Sequence, residues 1–182
     1  MITLQTHLNK ETEIPYDGTP LSPHWIYRKF NLLGDSLVAF VGPAKVELAH
    51  MVDLEDVKQN APIYSPKMLH FLGEWFIDSL ETGILLQHLF VGNVYQRLWE
   101  RGGRDLFRRG NDLFYDKRKL SVSITTKSPI SVLFHMGLNI ETAGTPVPTS
   151  GLKELWIDPW ELATEVFEKF QQDLLRFFLD QH

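Results

Sequence analysis

Cysteine does not occur among the 182 residues. Its absence removes disulfides, thiolate metal sites and cysteine nucleophiles together, and leaves the redox compartment open. Long apolar runs are missing too. No segment approaches the roughly 18 uninterrupted apolar residues that cross a bilayer, and the opening MITLQTHLNKETEIPYDG has neither a basic start nor an apolar stretch. A soluble, cytoplasmic protein is expected. Cations are outnumbered, with 18 Lys and Arg against 23 Asp and Glu and a net charge of -5, so nucleic acid is not an expected partner. The run from Arg97 to Lys119 is the local exception. The signatures GxxxxGK[ST], GxGxxG, HExxH and GxSxG are all absent, which removes support for P-loop, Rossmann, zincin and serine-hydrolase chemistry.

What is present suits a globular chain. Hydrophobic residues make up 43% and charged residues 23%, which argues against disorder. The length suits one domain over residues 1–182, because a chain of about 150 residues already buries roughly two thirds of its unfolded surface. Ser22 as N-cap, Pro23 at the first helical position and Gly34 as a stop predict a short helix over 22–32, with Trp25 and Phe30 facing the core. SLVAFVGPAKV is a buried strand expected to end at Gly42-Pro43, and KMLHFLGEWF is a second strand. Between them, AHMVDLEDVKQNAPIYSP is a polar connection. Its Asp53, Glu55 and Asp56 could hold a divalent cation, or form a solvated loop.

Asp78 or Ser79 caps a long helix ending at Arg101-Gly102-Gly103, with Leu80, Ile84, Leu85, Leu89, Leu98 and Trp99 as its inward stripe. DLFYD, LSVSI and ISVLFHMGLNIE follow as consecutive strands, with a turn at Lys117-Arg118. Asp158 and Pro159 open a closing amphipathic helix. This order predicts an α+β fold, a mixed and largely antiparallel sheet with helices packed on one face. His24, His50, His70, His88 and His135 are scattered, not set at metal-ligand spacing, and are expected to be structural or solvent-facing.

FRRGNDLFYDKRKLSVSI concentrates the candidate chemistry: Asn111-Asp112 opens a strand, a turn follows, and Lys119 heads the next strand, with FHMGLNIE beyond it. A basic hairpin surface explains the same letters, since Asn and Asp favour turns. In this order the stretch resembles the catalytic domain of the biotin and lipoate protein ligases. There an Asn-Asp pair precedes a turn, a lysine opens a strand of the KLAGI kind, and a GxGIN or HHGT segment follows. The whole chain is also similar to a small family of uncharacterised archaeal and bacterial proteins, in YDG, LSPxWxYR, GDSxVAFxGP and HMVDLEDV.

The ligase resemblance implies a class II synthetase-like catalytic domain that uses ATP and magnesium. It implies that Lys119 contacts a substrate carboxylate and the acyl-adenylate phosphate, and that Asn111 and Asp112 lie near the phosphates, with Asp112 on the metal. Asn139 would lie near the nucleotide, and His135 would take the place of a lipoate-ligase histidine. The family's glycine- and arginine-rich substrate loop has no counterpart here. Lys45 and His50 fall in its region, and Arg28 of the first helix could reach an anionic ligand. Ser121 and Val122 stand where the ligases carry Ala-Gly, which lets substrate pass close to the backbone. The expected partners are a small carboxylic acid or nucleotide and an acceptor protein, with a homodimer as an allowed assembly. Two functions compete: an adenylate-forming ligase or acyltransferase, and a ligand-binding protein that kept the fold without the chemistry.

Overall fold

The structure, a computed structural model, describes residues 4–47 and 63–180. Its elements are β1 (Gln5–Asn9), α1 (Trp25–Phe30), β2 (Ser36–Val46), β3 (Ile63–Trp75), α2 (Leu80–Glu100), β4 (Leu106–Arg109), β5 (Asp112–Tyr115), β6 (Arg118–Lys119), β7 (Ser121–Lys127), β8 (Val132–Glu141) and α3 (Pro159–Leu179). Five strands form one sheet in the order β1-β2-β3-β8-β7, and β4-β5-β6 form a small second sheet. Only the β1–β2 pair is parallel among these ladders.

The central strands are buried on both faces, so each carries two apolar sets at period two. Leu37, Ala39, Leu69, Phe71, Phe134 and Met136 meet α2 and α3 on one side. Phe90 of α2 sits edge-on to Phe71, Phe134 and Phe170, with ring centroids 5.0 to 5.2 Å apart. Val38, Phe40 and Leu72 meet Ile14, Tyr16 and Ile26 on the other side. The expected α+β architecture is present. The two long helices share one face, and the second face is closed by α1 and the segment before it.

Both long helices start where the sequence placed them. Ser79 Oγ accepts from the Thr82 N–H, and Asp158 accepts from Trp160 and Glu161 with Pro159 in the first turn. The inward stripe of α2 is different. Of the six residues expected to face the core, only Leu98 is buried, while Leu80, Ile84, Leu85, Leu89 and Trp99 are exposed. Apolar residues lie around most of this helix, so periodicity fits two arcs. Packing selects Gly83, Phe90, Val91 and Val94, because the Phe90 cluster needs that face and Gly83 lies against Val132 too closely for any Cβ.

Three further expectations are corrected. The first helix spans Trp25–Phe30, not 22–32, and Ser22 does not cap it. His24 has a left-handed backbone (φ 60°), and its N–H is taken by the buried Glu74 carboxylate, which also accepts from Ser131 Oγ at 2.7 Å. Its aromatic residues Trp25 and Phe30 are half-buried, and Ile26 is the inward residue. β2 does not stop at Gly42-Pro43 but passes through it as a bulge, its carbonyls at Val41 and Pro43 accepting from Ile14 and Tyr16. The hairpin turn falls on Asp116-Lys117, both at positive φ as a type I′ turn requires, which leaves Arg118 in β6.

On the second face, Tyr16 lies flat on His135 at 3.8 Å and 8°, and His135 in turn meets His70. The hydrogen bonds fix both tautomers. Gly42 O, 3.1 Å from His70 Nε2, can only accept, so that nitrogen carries the proton. His70 Nδ1 is therefore the acceptor for His135 Nε2–H, also at 3.1 Å. Burial holds both rings neutral, pushing His70 down to about 4 and His135 well below its ordinary value.

Two outcomes are expected. Gly42 carries no side chain because a Cβ there would lie 2.0 Å from Ile14 O, so Gly42→Ala should cost about 3 kcal/mol, read as a lower urea midpoint. The histidine pair sets an acid limit. A folded value below the unfolded one means that the unfolded chain binds protons the native chain refuses. Stability is therefore complete above pH 6.5 and falls towards pH 4, by roughly 3 kcal/mol for His70 alone. Urea midpoints between pH 7 and 4 measure this slope, and His70→Leu/His135→Leu should flatten it.

Candidate functional site

The small sheet places the predicted lysine by register. Phe107, Phe114 and Lys119 form one cross-strand row, and Arg109 lies opposite Asp112 two rows along, on the same face. Period-two alternation puts Leu106 and Leu113 on the other face, inside the core, so the row with Lys119 faces outward. Phe107 and Phe114 stack in parallel at 4.9 Å and 6°. The Lys119 ammonium lies 3.1 Å from Asp112 Oδ2, with side-chain exposures of 25% and 34%. Both groups are held by structure and reached by solvent.

The Lys119 backbone is locked on several sides. Its N–H donates to Pro148 O at 3.1 Å, and its carbonyl accepts from Ser150 N at 3.0 Å and Asn139 Nδ2 at 3.3 Å. Asn139 in turn donates its N–H to Leu120 O. Asn111 is fixed through its carbonyl, which accepts from Ser123 Oγ, and that hydroxyl accepts from Gln87 Nε2 of α2. Asn111 Oδ1 is buried with no hydrogen-bond partner among the described residues. Such an acceptor lowers stability unless a donor or cation meets it. Lys119, Asp112, Asn111 and Asn139 are thus brought into one neighbourhood by β5, β6 and β8.

The other predicted residues are not brought there. His135 lies four positions before Asn139 on β8, about 13 Å along the strand, sealed beneath Tyr16 and engaged with His70. Arg28 is exposed on α1, which covers the second face of the main sheet. Lys45 is exposed near the end of β2, which β3 separates from β8, and its backbone bonds Tyr16 O. His50, Asp53, Glu55 and Asp56 lie outside the described residues. Among the described residues no group of three or more His, Asp or Glu could hold a metal.

The letters around Gly137 have a local cause. A Cβ at Gly137 would meet Met68 Cε at 2.7 Å and Val122 Cγ2 at 3.5 Å, so side chains of this chain fill the space a bare glycine leaves. Ser121, one residue earlier, is buried and accepts the Leu113 N–H at 2.9 Å, tying β7 to β5. The letters gave no signal for the roles of Tyr16, Gly42, Gln87 and Ser123, and His70, expected to be structural or solvent-facing, is structural, with a partner the letters did not show. His70 and Glu74 alternate with Phe71 and Trp75, a sign of a second polar set that becomes legible only once β3 is known to be buried on both sides.

The architecture is shared. A protein of unknown function from Pyrococcus horikoshi matches with a TM-score of 0.89 at 37% identity, over 98% of this chain and 96% of that one. A candidate lipoate protein ligase from T. acidophilum, with bound lipoic acid, matches with a TM-score of 0.62 at 14% identity, over 94% and 86% of the chains. Biotin protein ligase from Aquifex aeolicus, in complex with biotin and ATP, gives 0.57 at 14% identity over 96% and 70%. At those identities the ligase likeness establishes the fold alone. A family model described as Domain of unknown function (DUF366) covers residues 4–181. The chain belongs to that family and carries the fold of the biotin and lipoate protein ligases.

Proposed function

We propose that this protein activates a small carboxylic acid with ATP and passes the acyl group to an acceptor amine, with Lys119 at the centre of the site. The observation that carries this reading is the Lys119–Asp112 pair, solvent-accessible at 3.1 Å, on a backbone that Asn139 anchors. A compact ammonium held by one carboxylate can follow negative charge as it moves from the acid to the adenylate. In the first step a carboxylate oxygen attacks the α-phosphorus and pyrophosphate leaves. In the second the amine nitrogen attacks the acyl carbon, the carbon–oxygen bond to AMP breaks, and the amine loses its proton. Lys119 faces the charge in both.

Asn111 and Asp112 fit a hard divalent cation. Asn111 Oδ1 is an oxygen without a partner among the described residues, Asp112 supplies a carboxylate, and magnesium takes few protein oxygens beside water and phosphate. Magnesium bound there would offset charge on the triphosphate. The membrane has no role in this reading, and no helix among the described residues is long and apolar enough to cross one.

A binding-only function has its own support: Met68 and Val122 fill the space above Gly137, and Tyr16 closes the sheet over His135. The two readings part on turnover. With ATP and a panel of small carboxylic acids, pyrophosphate release is expected, and binding of ATP or AMP without release assigns the binding-only function. Lys119→Ala should lower release by about 100-fold or more, with a melting temperature within a few degrees, because a half-exposed ion pair contributes only about 0.5–1 kcal/mol. Unchanged turnover in that variant removes Lys119 from the chemistry.

A further inference from the structure

Of the two arginines of β4, Arg109 faces outward with Asp112, while Arg108 shares its row with the buried Leu113 and turns to α2. Its guanidinium rests on Gly92, where a Cβ would lie 3.3 Å from Nη1. The other donors are used in two directions. Nη2 donates to His88 Nδ1 and Nε to Gly110 O, both at 2.8 Å. Burial pushes the Arg108 pKa down, and no carboxylate forms an ion pair with it among the described residues. The donors are therefore committed to holding a backbone carbonyl, not to neutralising an acid.

That carbonyl belongs to a turn with two accessible forms. Gly110 and Asn111 are the central residues of the hairpin between Arg109 and Asp112, with φ 61° at Gly110 and no positive φ at Asn111, the pattern of a type II′ turn. Gly-Asn suits type I′ as well, since both residues tolerate a left-handed backbone, and the Asp116-Lys117 turn of the same sheet adopts that form. The two forms differ by a flip of the peptide between the central residues. Gly110 O is the carbonyl of that peptide, so the bond from Arg108 Nε selects II′. The next peptide is pinned too, because Asn111 O accepts from Ser123 Oγ at 3.1 Å and Gln87 Nε2 holds Ser123 at 2.9 Å. With a peptide plane fixed on each side, the Asn111 side chain leaves the backbone in one set direction, and its buried Oδ1 has no partner among the described residues.

We propose that Arg108 is a positioning residue, latching the Gly110-Asn111 turn in the II′ form and so keeping Asn111 Oδ1 aimed for the magnesium ion of the nucleotide. This rests on the reading of Asn111 and Asp112 given above. The helix and not the hairpin alone sets the geometry at Asn111, because α2 supplies the seat of the latch through Gly92 and His88. A glycine in the middle of a helix, otherwise disfavoured, then has a reason: a side chain at 92 would take the space of the guanidinium.

Two measurements test this, one of them on the free protein. Nuclear Overhauser contacts separate the turns: Gly110 Hα lies close to the Asn111 amide proton in II′, and the two amide protons lie close to each other in I′. Wild type should show the first contact alone. Arg108→Ala should add the second, and so should Gly92→Leu, which fills the seat from the helix side and touches neither the turn nor the site. In the second measurement, pyrophosphate release is followed against magnesium concentration. Arg108→Ala should raise the half-maximal concentration by about 10-fold or more, as loss of a group behind a metal ligand does, with KM for the acid unchanged because Lys119 binds it. Gly92→Leu should add nothing in the Arg108→Ala background, since the seat is already empty there. A turn that stays wholly II′ in Arg108→Ala overturns the latch whatever the activity, and so does an unchanged magnesium requirement. Wild type that holds the II′ contact but releases no pyrophosphate overturns the ligase reading and not the latch, which the turn contacts decide.

Discussion

Strands β2, β3 and β8 have almost no solvent-facing side, so every polar group they carry must find its partner inside the protein. That demand organises the second face of the sheet. Glu74 takes an N–H from the start of α1 and a hydroxyl from Ser131, while His70 donates to the carbonyl at the β2 bulge and accepts from His135. Tyr16 completes the layer by covering His135, and its own backbone bonds to β2 at Pro43 and Lys45. The bulge has a purpose in this account. It turns the Gly42 carbonyl to His70 and presents the neighbouring carbonyls to the crossing segment, which a regular strand would keep in its ladder.

This packing also separates two regions that the letters alone leave together. His135 and Asn139 are close in sequence and share a face of β8, yet one belongs to a dry structural layer and the other to the edge that anchors Lys119. Burial decides between them. A ring that is buried, hydrogen-bonded through Nε2 and covered on its face by Tyr16 is closed to solvent, whereas the ammonium at the small sheet keeps solvent access. The proposed reaction therefore draws on the ammonium of the hairpin and not on the histidines.

Legibility in the sequence follows from how local each cause is. Caps at Ser79 and Asp158 act within one helical turn, and both were readable. The Asn111–Asp112–Lys119 order was readable because a hairpin brings near residues together. The start of α1 was not, since its N–H partner, Glu74, is 50 residues away. The inward arc of α2 was not either: Leu85 and Leu89 satisfy helical periodicity as well as Phe90 and Val94 do, and the choice rests on aromatic contacts across the fold. Histidines spread over β3 and β8 could be judged structural one by one, but not as a pair with fixed tautomers.

The place of α3 bears on how the molecule is made. Its residues Leu162, Val166, Phe167 and Phe170 close the main core, and Gln171 reaches back to the carbonyl of Leu4 beside β1. Without α3, the part of this face that α2 leaves uncovered would be bare apolar surface, and β1 would lose the helix that packs beside it. Docking of α3 is therefore the step that makes this face of the sheet non-sticky, and a partly folded state that lacks it is prone to aggregate.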